Sequence, residues 1–343
     1  MNTAFGPPVL RALLRARPED FVVDEELGFE PSGEGEHLLL RIEKRGANTA
    51  WVAGQLARWA GVPAHAVGYA GLKDRHAVTR QSFSVHLPAR KAPPPESLAI
   101  EGVRVLASAW HRRKLPRGAL RGNHFRLVLR EVAGERDAIE ERLRAIAARG
   151  FPNAFGLQRF GHGGGNLARA RALFAGARVG RAERGMLLSA ARSALFNAVL
   201  AQRVLEGSWD QGLDGEVWML DGRTSIFGPE PPSPELTERA RALAIHPTGP
   251  LWGRGEPLSQ GEARAIELAV AGAHTDLARG LELADLSQER RALRARAGEL
   301  AWDFPVPDVL ELRVFLPRGS YATALLDSVG EVTDAGGQPL AEE

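Results

Sequence analysis

The chain contains no cysteine. That excludes a disulfide framework and any thiolate metal site, and it makes the cytoplasm the expected compartment. No apolar run approaches the roughly 18 residues a membrane span requires. The opening residues, Met1-Asn2-Thr3-Ala4-Phe5-Gly6-Pro7-Pro8, lack the basic start and apolar core of a signal peptide. Nine histidines are scattered with no two within five residues, so His-x-x-x-His zinc spacing is missing. Carboxylates do not pair at a spacing that suggests a metal site. There is no Gly-x-Ser-x-Gly elbow. The run Gly161-His162-Gly163-Gly164-Gly165-Asn166 has neither the Gly-Lys-Ser/Thr ending of a P-loop nor dinucleotide-binding glycine spacing, and reads as a turn before a helix. An excess of one charge is absent too: the net charge is +2, so bulk charge does not announce a nucleic-acid binder.

What is there suits a packed globular protein: 343 residues, 44% hydrophobic and 25% charged, long enough for one to three domains at about 150 residues each. One segment stands out chemically. Asp74 lies in Gly71-Leu72-Lys73-Asp74-Arg75-His76, between two cations and just after a predicted strand, Ala66-Val67-Gly68-Tyr69-Ala70. Opposite charges at this range favour the ionised carboxylate, which is then available as nucleophile or base. A solvated turn accounts equally well for an arbitrary Lys-Asp-Arg. A second segment, His111-Arg112-Arg113-Lys114-Leu115-Pro116-Arg117, concentrates positive charge. It reads either as a track for the phosphates of a nucleic acid or as a solvated loop before a strand.

Periodicity places strands at Phe21–Glu25, His37–Glu43, Gln81–Leu87, His124–Arg130 and Val309–Leu316. Asn48 is a natural N-cap for a helix whose Trp51, Val52, Leu56 and Trp59 share a face. Glu135–Arg149 reads as a helix closed by Gly150. Beyond it helical patterns dominate: Asn166–Phe174, Gly185–Leu205, Gly261–Leu283 and Ser287–Leu300, with a last helix from Ser320. The proline-rich stretches Gly228–Pro234 and His246–Pro250 read as irregular. A strand-rich domain interrupted by a helix-rich one is expected.

Several motifs in order resemble the TruD family of tRNA pseudouridine synthases. They are Pro18-Glu19-Asp20-Phe21-Val22-Val23-Asp24-Glu25, Phe29-Glu30-Pro31-Ser32-Gly33-Glu34-Gly35-Glu36-His37, Glu43-Lys44-Arg45-Gly46-Ala47-Asn48-Thr49 and the Asp74 segment. Further along come Leu120-Arg121-Gly122-Asn123-His124-Phe125, Pro152-Asn153-Ala154-Phe155-Gly156-Leu157-Gln158-Arg159-Phe160-Gly161, Ser193-Ala194-Leu195-Phe196-Asn197 and Phe315-Leu316-Pro317-Arg318-Gly319-Ser320-Tyr321-Ala322-Thr323. The resemblance implies an α+β fold. A catalytic domain over 1–150 and 303–343, with a mixed, mostly antiparallel sheet and flanking helices, would hold a largely helical insertion over 151–302.

The implied activity is isomerisation of uridine to pseudouridine in tRNA, at position 13 of the D-arm. It needs no cofactor and no metal, because nothing is oxidised or added. Asp74 would be the catalytic nucleophile or base, by attack at C1′, addition at C6 or removal of the C2′ proton. Lys73 and Arg75 would keep it ionised or contact phosphate. Substrate contacts are implied at Phe21, Asn123 and Tyr321, with Phe125 close by. Without the family, Phe21 and Phe125 read as strand core, and Asn123 as a turn residue. Arg75, Arg112, Arg113, Lys114 and Arg117 are weaker candidates for RNA contact.

Tyr321 stands where family members often carry Phe, and its added hydroxyl is expected near Asp74 or in water. Leu72 stands where a polar Gln can occur, with little effect on the chemistry expected. Asn153, Phe155, Gln158, Arg159 and Phe160 read first as a domain-junction motif, and Trp252 as a packing residue. The expected partner is tRNA, with no membrane and no obligatory protein partner, the protein acting as a monomer. A non-catalytic RNA-binding protein or chaperone on the same fold is the alternative. A nuclease or phosphotransferase, which needs clustered carboxylates for Mg²⁺, is the third reading.

Overall fold

The computed structural model describes residues 4–336, which form two compact units. One, the sheet unit, comprises Leu10–Gly134, Gly298–Gly319 and residues 332–336; the other, the helical unit, comprises residues 4–9, Glu135–Ala297 and Ser320–Glu331. Helix Arg136–Arg149 and residues 320–331 therefore lie in the helical unit, whereas the boundaries expected from sequence group them with the sheet.

The sheet unit is built on β1 (Arg11–Leu14), β2 (Phe21–Leu27), β3 (His37–Arg45), β4 (Val67–Tyr69), β5 (Val78–His86), β6 (Val103–His111) and β7 (Leu120–Ala133). Strands Gly298–Val306, Val309–Pro317 and Glu331–Asp334 complete a sheet of ten strands among the described residues. The main order is Gly298–Val306, Val309–Pro317, β7, β2, β5, β3, β6. β2 and β5 run parallel, with Val22 opposite Val78, while the neighbours on either side of that pair are antiparallel. The C-terminal strand thus rejoins the sheet through β7, where Asn123 faces Leu316 on one side and Glu25 on the other. Asn123 is a strand residue, not the turn residue its neighbour Gly122 suggests.

Helix α1 (Thr49–Trp59) starts as expected, with Ala50 N donating to Asn48 Oδ1 at 2.8 Å. Its Val52 and Leu56 bury against Leu40, Ile42, Phe83 and Val85. Trp51 does not share that face and stays 47% exposed.

The helical unit holds α2 (Arg136–Arg149), α3 (Gly165–Phe174), α4 (Arg181–Leu205), α5 (Pro234–Arg241), α6 (Gly261–Ala273), α7 (Thr275–Leu283) and α8 (Ala322–Val329). Gly150 closes α2 at φ +76°, a left-handed conformation that glycine adopts without a Cβ clash. The helices pack through Leu187, Leu195, Leu277, Leu281 and Trp252, whose Nε1 donates to Glu282 at 2.9 Å.

Four segments depart from the sequence expectation. Ser287–Leu300 is extended, as Glu289–Ala292, Arg294–Ala295 and the start of Gly298–Val306, not helical. Its arginine-rich composition suits a helix, but Arg290 opposite Pro250 and Ala292 opposite Thr248 are inward positions of a strand pair, and that pairing overrides propensity. Its partner Ile245–Leu251 is a strand despite Pro247 and Pro250; a proline still offers its carbonyl, and Pro247 O accepts from Leu293 N at 2.8 Å. Likewise Gly228–Pro234 is not wholly irregular: Ile226–Glu230 is a strand, and Pro234 opens α5 with Ser233 Oγ accepting from Leu236 N at 3.2 Å. The expected helix 261–283 is two helices, breaking at His274.

Charge is buried deeply here. Arg203 Nη2 meets Glu216 Oε2 at 2.8 Å, both almost wholly buried. Arg290 pairs with Glu267 at 2.8 Å, and its Nε donates to Thr248 Oγ1 at 2.9 Å. Burial pushes the Glu216 carboxyl upward; Arg203 and Arg290 pull it back.

Candidate active site

Asp74 lies on the turn between β4 and β5, and the turn is braced from three elements. From β3, Lys44 Nζ donates to Asp74 O at 2.8 Å and to Ala47 O at 2.9 Å. From α1, Thr49 Oγ1 accepts from Lys73 N at 2.9 Å and donates to Gln81 Oε1 at 2.9 Å. From β5, Gln81 Nε2 donates to Gly71 O at 3.3 Å. Lys44 is fully buried, so its charge is spent on fixing this backbone. The turn is not a solvated one.

The carboxylate is buried as well. Its Oδ1 accepts from His76 N at 2.8 Å, and its Oδ2 is ion-paired with Arg15 Nη1. Arg15 also pairs with Asp334, its Nε donating to Oδ1 at 2.9 Å. Arg15 follows β1 and holds φ +59°, an uncommon backbone for a non-glycine residue. Its guanidinium lies 5.7 Å from the centre of the Phe21 ring, and Phe21 meets Phe125 edge to face at 5.9 Å. Asp74, Arg15, Phe21 and Phe125 are therefore one contiguous group. Phe21 and Phe125 are buried, as alternation on β2 and β7 requires.

Lys73 takes a different course from the one expected. Its Nζ donates to Asn123 Oδ1 at 2.9 Å and faces Glu25 Oε2 at 3.7 Å, all three side chains being buried. Burial raises the Glu25 carboxyl above its ordinary range; Lys73 and a bond from Ser82 N oppose that. Arg75 is exposed and donates to Gly46 O at 3.1 Å. The cation seated on Asp74 is thus Arg15, which sequence reasoning misses. Nothing in Arg11-Ala12-Leu13-Leu14-Arg15-Ala16-Arg17 singles it out among three arginines. Lys44 lies in one of the family-like motifs, but no local signal gives it a role.

Arg15→Met is expected to lower turnover about 100-fold, the scale of losing one preorganised charge contact, with Arg15→Lys intermediate because one ammonium cannot fork between Asp74 and Asp334. Steady-state rates of the two variants check the order.

Tyr321 belongs to the helical unit, immediately before α8. Its hydroxyl accepts from Arg159 Nη2 at 3.1 Å. The ring lies 6.0 Å from Phe155, and the Arg291 guanidinium stacks 4.0 Å over Phe155. Asn197 clamps Phe155 by both backbone groups, accepting at Oδ1 and donating from Nδ2 at 2.9 Å each. Asn153 Nδ2 donates to Ala292 O at 3.0 Å. Around the Asn153–Phe160 motif, then, polar side chains satisfy backbone beside aromatic rings.

The cationic run is tied down rather than free. Leu115 is buried, with its N donating to Ser84 Oγ at 2.9 Å; Lys114 Nζ donates to His65 O at 2.6 Å. Arg117 stacks 3.7 Å over the Tyr69 ring, and Arg112 is paired with exposed Glu34. Arg112, Arg113, Lys114 and Arg117 are all exposed on this fixed loop.

Among the described residues no group of three or more His, Asp or Glu side chains is placed to hold a metal ion, and no helix is long and apolar enough to cross a membrane.

The family model for tRNA pseudouridine synthase D (TruD) matches residues 7–168 and 170–329. A tRNA pseudouridine synthase D of Xanthomonas axonopodis pv. citri is 55% identical, the match covering 97% of this chain and 95% of that one. One of Nitrosococcus oceani is 50% identical, covering 98% and 96%. The crystal structure of a TruD described as putative, from Methanosarcina mazei, shares the fold at TM-score 0.71 with 19% identity, covering 96% of this chain and 95% of that one.

Proposed function

Since the chain belongs to the TruD family of tRNA pseudouridine synthases, we propose that Asp74 is the group that carries its reaction. The enzyme isomerises uridine in tRNA: the N1–C1′ bond breaks, the base turns, and C5 bonds to C1′, the proton lost from C5 being matched by one gained at N1. The balance is internal, so no co-reactant enters. The observation that supports Asp74 most strongly is a buried carboxylate held in orientation by Arg15 and His76 N on a turn that Lys44 and Thr49 make rigid. Attack at C1′, addition at C6 and removal of the C2′ proton all begin from that carboxylate.

The target base must leave its stack to reach a buried group. Asn123 carries donor and acceptor functions suited to the alternating edge of uracil. Its Oδ1 accepts from Lys73, so the donor it would offer a uracil carbonyl is its amide N–H₂ group. Phe21 and Phe125 form the apolar wall behind Arg15. Tyr321, set by Arg159 and Phe155, is the remaining ring of the family pattern. Arg112, Arg113, Lys114 and Arg117, with Arg75, would meet phosphates; a fixed loop loses little entropy on doing so. The partner on this reading is tRNA, met by a cytoplasmic monomer.

The target is position 13 of the D-arm. Carbodiimide mapping of tRNA transcripts treated with the protein is expected to place one new pseudouridine there; modification at another position alone would overturn the assignment.

A further inference from the structure

We propose that Leu72 is a wedge that enters the tRNA stack and holds it open while the target uridine lies at Asp74. This rests on the reading of Asp74 as the catalytic group.

Leu72 is 54% exposed, while Lys73 and Asp74 directly after it are buried. A single exposed leucine needs no explanation by itself. Here two further observations bear on it. The backbone on both sides of Leu72 is clamped: Gly71 O accepts from Gln81 Nε2, Lys73 N donates to Thr49 Oγ1, and Lys73 O accepts from Lys44 Nζ at 3.3 Å. The exposure is therefore a fixed display, not fraying. The turn is also uncrowded at the preceding residue: a Cβ built on Gly71 meets no atom within 4 Å other than those of its chain neighbours. A rigid turn thus presents one apolar side chain to solvent two residues from the buried Asp74 carboxylate.

Extrusion of a base leaves a gap between its stacked neighbours, and an apolar side chain inserted there offsets the lost stacking. Leucine suits that task and no base reading, because it has no hydrogen-bonding group. Leu72 would take no part in bond making, and would act on the share of bound tRNA whose uridine is extruded.

The test uses two tRNA transcripts: the folded one, and one with abasic residues on both sides of the target uridine, where there is no stack to open. Leu72→Ala is expected to lower kcat/KM on the folded transcript by about tenfold or more, and to stay within about twofold of wild type on the abasic-flanked one. Leu72→Met, of similar volume, should restore most of the loss. Leu283→Ala, at an equally apolar and 78% exposed site in α7, should change neither rate. An equal loss on both transcripts would mean that Leu72 only supports the turn, and no loss on the folded one would mean that it does nothing; either overturns the wedge. Failure of the wild type on both transcripts would instead overturn the catalytic reading beneath it.

Discussion

Asp74→Asn should release no tritium above background from tRNA labelled at uridine C5, under EDTA conditions in which the wild type releases it steadily. C5 loses its hydrogen only when it bonds to C1′, so the assay reads the isomerisation itself. The substitution keeps shape and removes charge. The amide oxygen of the substituted side chain can still accept from His76 N, which lies 2.8 Å from Asp74 Oδ1, and Arg15 keeps its second carboxylate at Asp334. The turn stays held by Lys44, Thr49 and Gln81, none of which touches the carboxylate oxygens in these bonds. Melting behaviour and tRNA affinity should therefore change little, while the rate falls at least about 1,000-fold, the scale on which a lone acid–base or nucleophilic group matters. Release within tenfold of wild type would remove Asp74 from the mechanism. Release by the wild type without EDTA but not in it would mean that the isomerisation requires a metal ion. Binding without release by either protein would favour an RNA-binding module.

Most strands and helix ends are legible in the sequence because they are written in local pattern, whereas Asp74 is singled out only by the family resemblance. The strands around β2, β3, β5 and β7 alternate, Asn48 caps α1, and Gly150 ends α2; each is a short-range rule with a short-range cause. The packing of Trp252 and the backbone-satisfying role of Asn153 are expected from the family-like motifs that hold them rather than from a short-range rule. What is not legible depends on long-range partners. Arg15 reaches Asp74 and Asp334 across 59 and 319 positions, and nothing local marks it. Sequence proximity assigns Lys73 to Asp74, but its ammonium bonds to Asn123, 50 positions away, because a side chain next in sequence on a turn points elsewhere. Ser287–Leu300 misleads in the same way: arginine and alanine favour a helix only until a strand such as Ile245–Leu251 offers them a ladder.

That partner dependence is sharpest in the helical unit, where Arg203→Met should be among the most destabilising single changes. Arg203 donates to Glu216 and to the carbonyls of Ser208 and Gln211 at 2.8 Å each. Methionine fills the volume but leaves Glu216 buried with its main counter-charge gone, and removing one member of such a pair costs about 3–5 kcal/mol. The sign with pH separates this cause from simple loss of packing. Burial already pushes the Glu216 carboxyl above its ordinary range, and Arg203 is the first group opposing that shift. In the variant the folded-state value rises further. A carboxyl with a raised folded value adds stability below its unfolded value and loses it as pH climbs through the folded one, by up to about 1.4 kcal/mol per pH unit. Arg203→Met should therefore lie closer to wild type near the ordinary glutamate range and fall away toward neutral and alkaline pH. The double variant Arg203→Met with Glu216→Leu should recover much of the loss and flatten that slope, since a matched apolar pair replaces a buried ion pair at little cost. Urea midpoints across pH for the three proteins decide it: a gap between Arg203→Met and wild type that does not widen with pH would mean that the lost carbonyl contacts, and not the stranded carboxylate, carry the effect.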